Sequence, residues 1–140
     1  MDTIDALRNS RLLGALGEEQ LAGLAGMARQ RVFAAGETLI SAGDARASAL
    51  FVIVEGEVEV RADGSVVAEV GPGGAVGELA LVAPGLRLTA DVVATEDTRV
   101  VVLARWDFIP YVRSHPDVAI AVIEELAARL EEANARLAGG

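Results

Sequence analysis

One carboxylate, a run of small and aliphatic residues and a lone arginine stand close together in GELALVAPGLRLTA, residues 77–90. Gly77–Ala80 reads as a turn into a short helix, and the first amides of a helix point outward and attract anions. GPGGAVG, which runs into that turn, supplies four glycines, and glycine lets a ligand approach the backbone closely. Glu78 is an acceptor suited to a sugar hydroxyl. Arg87 offers a planar donor fork that can engage two phosphate oxygens at once. A carboxylate, backbone amides and an arginine in this order suit a small anionic nucleotide.

Little else in the chain offers chemistry. The 140 residues contain no cysteine, which excludes disulfides, thiolate zinc sites and cysteine nucleophiles. The single histidine, His115, cannot build a histidine metal cluster, and no Ser–His–Asp constellation is apparent. The residues therefore predict a binding protein, with no catalytic residue, no metal and no cofactor. The formal charge is −9, and the basic residues are all arginines spread along the chain without a basic patch. Attachment to nucleic acid depends on clustered cations that neutralise phosphates, so none is expected of this chain alone. No uncharged run is long enough to cross a bilayer and no signal-peptide pattern opens the chain, so a soluble, cytoplasmic protein without membrane contact is expected.

The elements that must position Glu78 and Arg87 fall into three zones. Residues 1–30 read as helical. TIDALRNSRLLGAL has apolar residues at near-helical spacing, broken at Asn9–Ser10, and GEEQLAGLAGMARQ places Leu21, Leu24 and Met27 on one face. Residues 31–104 are strand-like, rich in valine and cut by Glu55–Gly56, Asp63–Gly64 and Gly71–Pro72. Asp–Gly between two valine-rich runs is a strong hairpin signal. Short strands at close spacing predict a β-roll of roughly eight strands. Residues 105–140 return to a helical pattern, with Pro116 placed to open a long last helix. There Ile123, Leu126, Leu130, Ala133 and Leu137 recur at heptad-like spacing, open either to core packing or to a dimer seam along 119–137. Trp106 and Phe108 read as core anchors and His115 as a cap or surface residue. Arg129, Glu131, Glu132 and Arg136 read as a solvated face.

Four motifs in order carry a family resemblance. They are GETLISAGD (Gly36–Asp44), LFVIVEGEVEV (Leu50–Val60), VGELALV (Val76–Val82) and VVATEDTRVVVLARWDF (Val92–Phe108). Together they resemble a cyclic nucleotide-binding domain, the module shared by catabolite-activator-type regulators, kinase regulatory subunits and gated channels. The resemblance spans nearly the whole chain and implies a single domain over residues 1–140. Its fold would be mainly β with flanking α: an eight-stranded antiparallel, jelly-roll-like β-roll with N-terminal helices, a short phosphate-cassette helix within 76–90, and C-terminal hinge and lid helices. It implies cAMP or cGMP as ligand, held by Val76, Gly77, Glu78, Leu79, Ala80, Arg87, Leu88, Thr89 and Ala90. Glu78 would accept from the ribose hydroxyl, amides near Leu79 and Ala80 would face the phosphate, and Arg87 would neutralise it.

The cassette departs from the family pattern in Val76, which stands in place of the usual aromatic and thins the packing, and in its register around Arg87. Counted from Gly77, Arg87 falls on the phosphate arginine, preceded by Leu86 where proline is usual. Counted back from the following strands, Leu88 falls there, Thr89 and Ala90 match the small pair, and Asp91 replaces a threonine, setting a negative charge near the phosphate. The two registers leave three readings open: a sensor that moves its C-terminal helices on binding, a ligand-independent module for dimerisation or docking, and the sensor part of a longer regulator, kinase or channel.

Overall fold

The computed structural model describes residues 2–43, 49–78 and 90–139. Two helices, α1 (Thr3–Arg8) and α2 (Glu18–Met27), open the chain. Strands follow: β1 (Arg29–Phe33), β2 (Thr38–Ile40), β3 (Ala49–Glu55), β4 (Val58–Ala62), β5 (Ser65–Val70), β6 (Ala75–Val76), β7 (Asp91–Ala94) and β8 (Thr98–Ala104). Two helices, α3 (Arg105–Ser114) and α4 (Pro116–Gly139), close it. Among the described residues the strands form two four-stranded sheets, ordered β1-β8-β3-β6 and β2-β7-β4-β5, with every pairing antiparallel. This is the expected mainly β roll with flanking helices. No helix among the described residues is long and apolar enough to cross a membrane.

The pattern of β3 explains how the layers stack. LFVIV is a continuous apolar run because the strand is buried on both faces. Phe51 and Ile53 point into the roll, where they meet Phe33, Leu39, Val58, Val92 and Val100. Leu50 and Val52 point outward and pack with Leu7, Leu21, Leu24, Leu103, Phe108 and Val118 from the helices and β8. The roll thus has one core between its sheets and a second beneath the helices.

Local chemistry sets the turns. Asp63 and Gly64 both have positive φ, 52° and 79°, and join Ala62 to Ser65 in the two-residue hairpin that Asp–Gly favours. Helix α1 stops at Arg8, well before Leu16, because Ser10 competes with the helix. Its hydroxyl donates to the Leu7 carbonyl at 2.8 Å and accepts from the Leu13 amide at 3.1 Å. Leu12, Leu13 and Leu16 still reach the core from the turns that follow. Strand β1 starts two residues earlier than the zone boundary at 31, since Arg29 and Gln30 already pair with Val102 and Val101. Pro116 is the first residue of α4, as its fixed φ suggests.

Trp106 is a correction. It is 70% exposed, whereas Phe108 is 2% exposed and anchors the helical core. Two residues apart on a helix lie on nearly opposite faces, so α3 can bury only one of the two.

Candidate functional site

The path into the site is fixed by backbone pairing. The Gly73 amide donates to the Ile53 carbonyl and the Ile53 amide to the Gly74 carbonyl, both at 2.9 Å. Strand β6 then pairs Val76 with Phe51, and Val76 is buried in the inner core. The glycine run is therefore tied to β3. Gly77 is the point at which only glycine fits. Its φ is +89°, and a Cβ there would stand 2.2 Å from the Ala49 carbonyl oxygen. The chain turns sharply at this residue and delivers Glu78 to the surface of the roll.

Glu78 does not face open water. Its carboxylate accepts a long hydrogen bond, 3.4 Å, from Arg129 Nη1 on α4. Arg129 also lies 3.6 Å from Glu125, one helical turn earlier. The side chains of Glu78 and Arg129 are 21% and 30% exposed, so the pair is only partly screened by water. A cleft of about 270 Å³ lies beside it, where α4 faces the β5–β6 turn, and its walls include Arg11, Glu69, Glu125, Arg129 and Glu132. The acceptor that the sequence marks for a sugar is thus joined to the last helix.

Of the other expected site residues, Ala90 is half-buried just before β7, while Leu79, Ala80, Arg87, Leu88 and Thr89 lie outside the described residues. Asp91 is exposed, and its Oδ1 accepts from the Ala42 amide at 2.6 Å. That carboxylate has a structural partner two residues beyond β2. His115 caps α3, stacks on Tyr111 with ring centroids 4.1 Å apart, and has Nδ1 2.9 Å from the Tyr111 carbonyl oxygen. It belongs to the α3–α4 junction. Among the described residues no group of three or more acidic or histidine side chains could hold a metal.

Arg129 is the residue that sequence reasoning missed. The spacing of Glu125 and Arg129 signals only a pair along a solvated helix face. Nothing local signals that this face meets Glu78, 51 residues away.

Comparison with known proteins agrees with the fold. A family model for the cyclic nucleotide-binding domain matches residues 30–115. The Pycsar effector protein XpPycTIR of Xanthomonas perforans is 40% identical over 100 residues, 71% of this chain and 33% of that protein. The cyclic AMP receptor protein of Thermus thermophilus is 30% identical over 136 residues, 94% of this chain and 62% of that protein. The chain therefore spans only a part of the length of these curated relatives. The crystal structure of the N-terminal domain of a transcriptional regulator from Streptomyces coelicolor superposes with a TM-score of 0.76 at 34% identity, covering 95% of both chains.

Proposed function

The chain belongs to the cyclic nucleotide-binding domain family, and from that premise we propose that it is a sensor module for cAMP or cGMP. The observation that carries this reading is the contact between Glu78 and Arg129. It puts the sugar-facing acceptor and the last helix in one ion pair, so a ligand arriving at Glu78 meets α4 directly. A bound ribose hydroxyl donates to Glu78 and competes with, or joins, Arg129. The amides after Gly77 and the Arg87 guanidinium take the phosphate charge. Such a ligand moves α4 by no more than its difference in affinity for the two positions of that helix. The cyclic AMP receptor protein among the relatives supports cAMP as one ligand to test.

We read residues 1–140 as one such unit, acting by binding and in the cytoplasm, with no nucleic-acid or membrane partner of its own. A homodimer through 119–137 is part of the proposal. Ile123, Leu130 and Leu137 recur every seven residues on α4 and are 61%, 62% and 81% exposed. Leu130→Glu should lower the mass measured by light scattering from dimer to monomer while the circular dichroism spectrum stays unchanged. An unchanged mass would remove the seam from the proposal.

The direct test is isothermal titration with cAMP and with cGMP on the wild-type chain and on Glu78→Ala and Arg87→Ala. Micromolar binding is expected, weakened at least tenfold in each variant, a loss of about 1.4 kcal/mol. Loss in Arg87→Ala would also select the register counted from Gly77. A second reading, a ligand-independent module, rests on the register that puts Leu88 at the phosphate position. No heat with either nucleotide, from protein with an intact unfolding transition, would favour it.

A further inference from the structure

A second cleft runs from β1 across β8 to β3. Arg29, Arg31 and Phe33 alternate along β1 and share one face. Phe33 is buried in the inner core, and the row continues toward the roll's mouth with two arginines. The opposite face of the same strand leaves Val32 67% exposed. Arg29 and Arg31 are themselves exposed, so along this edge strand two accessible arginines lie on the face of the buried Phe33 while Val32 lies on the other.

The register shows what the arginines look onto. Arg29 pairs with Val102, and Val102 with Phe51, so the three form one transverse row across the sheet. Arg31 is also held, with its guanidinium carbon 4.6 Å from the Phe33 ring centroid. Around this row is a cleft of about 270 Å³, whose floor includes Leu39 and Phe51 and whose far rim is Trp106 and Asp107 of α3. Neither arginine forms an ion pair with a described carboxylate, Asp107 included. In a chain of net charge −9, two arginines without described acidic partners over an apolar floor mark a site of their own.

We propose that this cleft binds a compact aromatic monocarboxylate, with the carboxylate on Arg29 and Arg31 and the ring between Phe51 and Trp106. Three features select that class. The volume lies just below the usual range for small-molecule pockets, about 300–1,000 Å³, which favours a ligand of one ring. The floor is apolar and the rim carries a broad, exposed indole suited to stacking. Asp107 opposes a second negative charge, which disfavours phosphates and dicarboxylates. No described residue lines both this cleft and the one beside the Glu78–Arg129 pair, although Ala49 of this cleft adjoins Gly77.

Trp106 is the only tryptophan in the chain, so its emission reports this cleft. The probe is phenylpropionate, which does not absorb where tryptophan is excited at its red edge, with phenylpropanol as the neutral counterpart. Saturable change in Trp106 emission is expected with a dissociation constant of about 1 mM, in keeping with a small ligand in an open site. Phenylpropanol and the Arg29→Ala/Arg31→Ala variant should each bind about fivefold more weakly, and added salt should weaken the acid alone. Glu78→Ala should bind phenylpropionate as the wild type does. If the variant pair fails to fold, Arg31→Gln and the salt dependence decide the matter. Equal binding of acid and alcohol, no saturation, or loss in Glu78→Ala would each overturn the assignment.

Discussion

The two halves of α4 are held by different forces. In the first half, Val118 and Val122 are 0% and 4% exposed and belong to the core beneath the helices. Leu126 is the last residue of α4 whose apolar side chain packs against that core. Beyond it, Leu130 and Leu137 stand in solvent, and Arg129 holds the helix to Glu78. Burial of apolar area is non-directional and survives small shifts, whereas a partly exposed ion pair is worth at most about 1 kcal/mol. The first half is therefore a fixed base. The second half is attached by a contact that a ligand at Glu78 can replace.

The largest test of this contrast is in the core. Val118→Ala should destabilise the chain by about 2–3 kcal/mol, read from denaturant unfolding, because it leaves a cavity beneath α3 and α4. The same unfolding measurement on Leu137→Ala, made at a concentration low enough to keep the chain monomeric, should move by no more than about 0.5 kcal/mol. Equal losses would mean that both halves are packed alike.

Next is Arg129→Ala. Its cost in global stability should stay within about 1 kcal/mol. Amide exchange should nonetheless rise from Leu126 onward and stay unchanged around Val118 and Val122. Uniform exchange along α4 would show that the pair with Glu78 does not hold the second half.

The smallest effect concerns Tyr111, which ties α3 to α2 through a hydrogen bond from its hydroxyl to the Gln20 carbonyl at 3.3 Å. Gly23 makes room for that ring, since a Cβ there would stand 2.5 Å from the hydroxyl oxygen. Desolvation raises the phenol above its ordinary value of 10.0, with smaller contributions from Asp117 and Glu19. A raised folded pKa favours the neutral phenol in the native state. The stability it contributes is full below pH of about 10 and is lost as pH rises through the folded value. Tyr111 is the chain's only tyrosine, so an absorbance titration follows it directly, and Tyr111→Phe should flatten the alkaline stability slope. A slope unchanged by the substitution would assign it to other groups.

The roll was legible in the sequence because its signals are local. Asp63–Gly64 specifies a hairpin through its own backbone preference, LFVIV announces a strand with two buried faces, and Pro116 marks a helix start. Gly77 and Glu78 were legible for the same reason, as a motif of adjacent residues. Ser10 cut α1 short through side-chain bonds to residues three positions away on either side, a competition that the apolar spacing of 3–16 concealed.

What the amino-acid sequence determined by itself is the order of elements, the family motifs and the carboxylate offered at position 78. The tertiary structure alone decided that Arg129 meets Glu78, that Phe108 and not Trp106 turns inward, and that Arg29 and Arg31 share a cleft with Trp106. These outcomes depend on how helices dock on sheets. A helix face is written in neighbouring residues, but the surface it meets is set by packing across the whole chain.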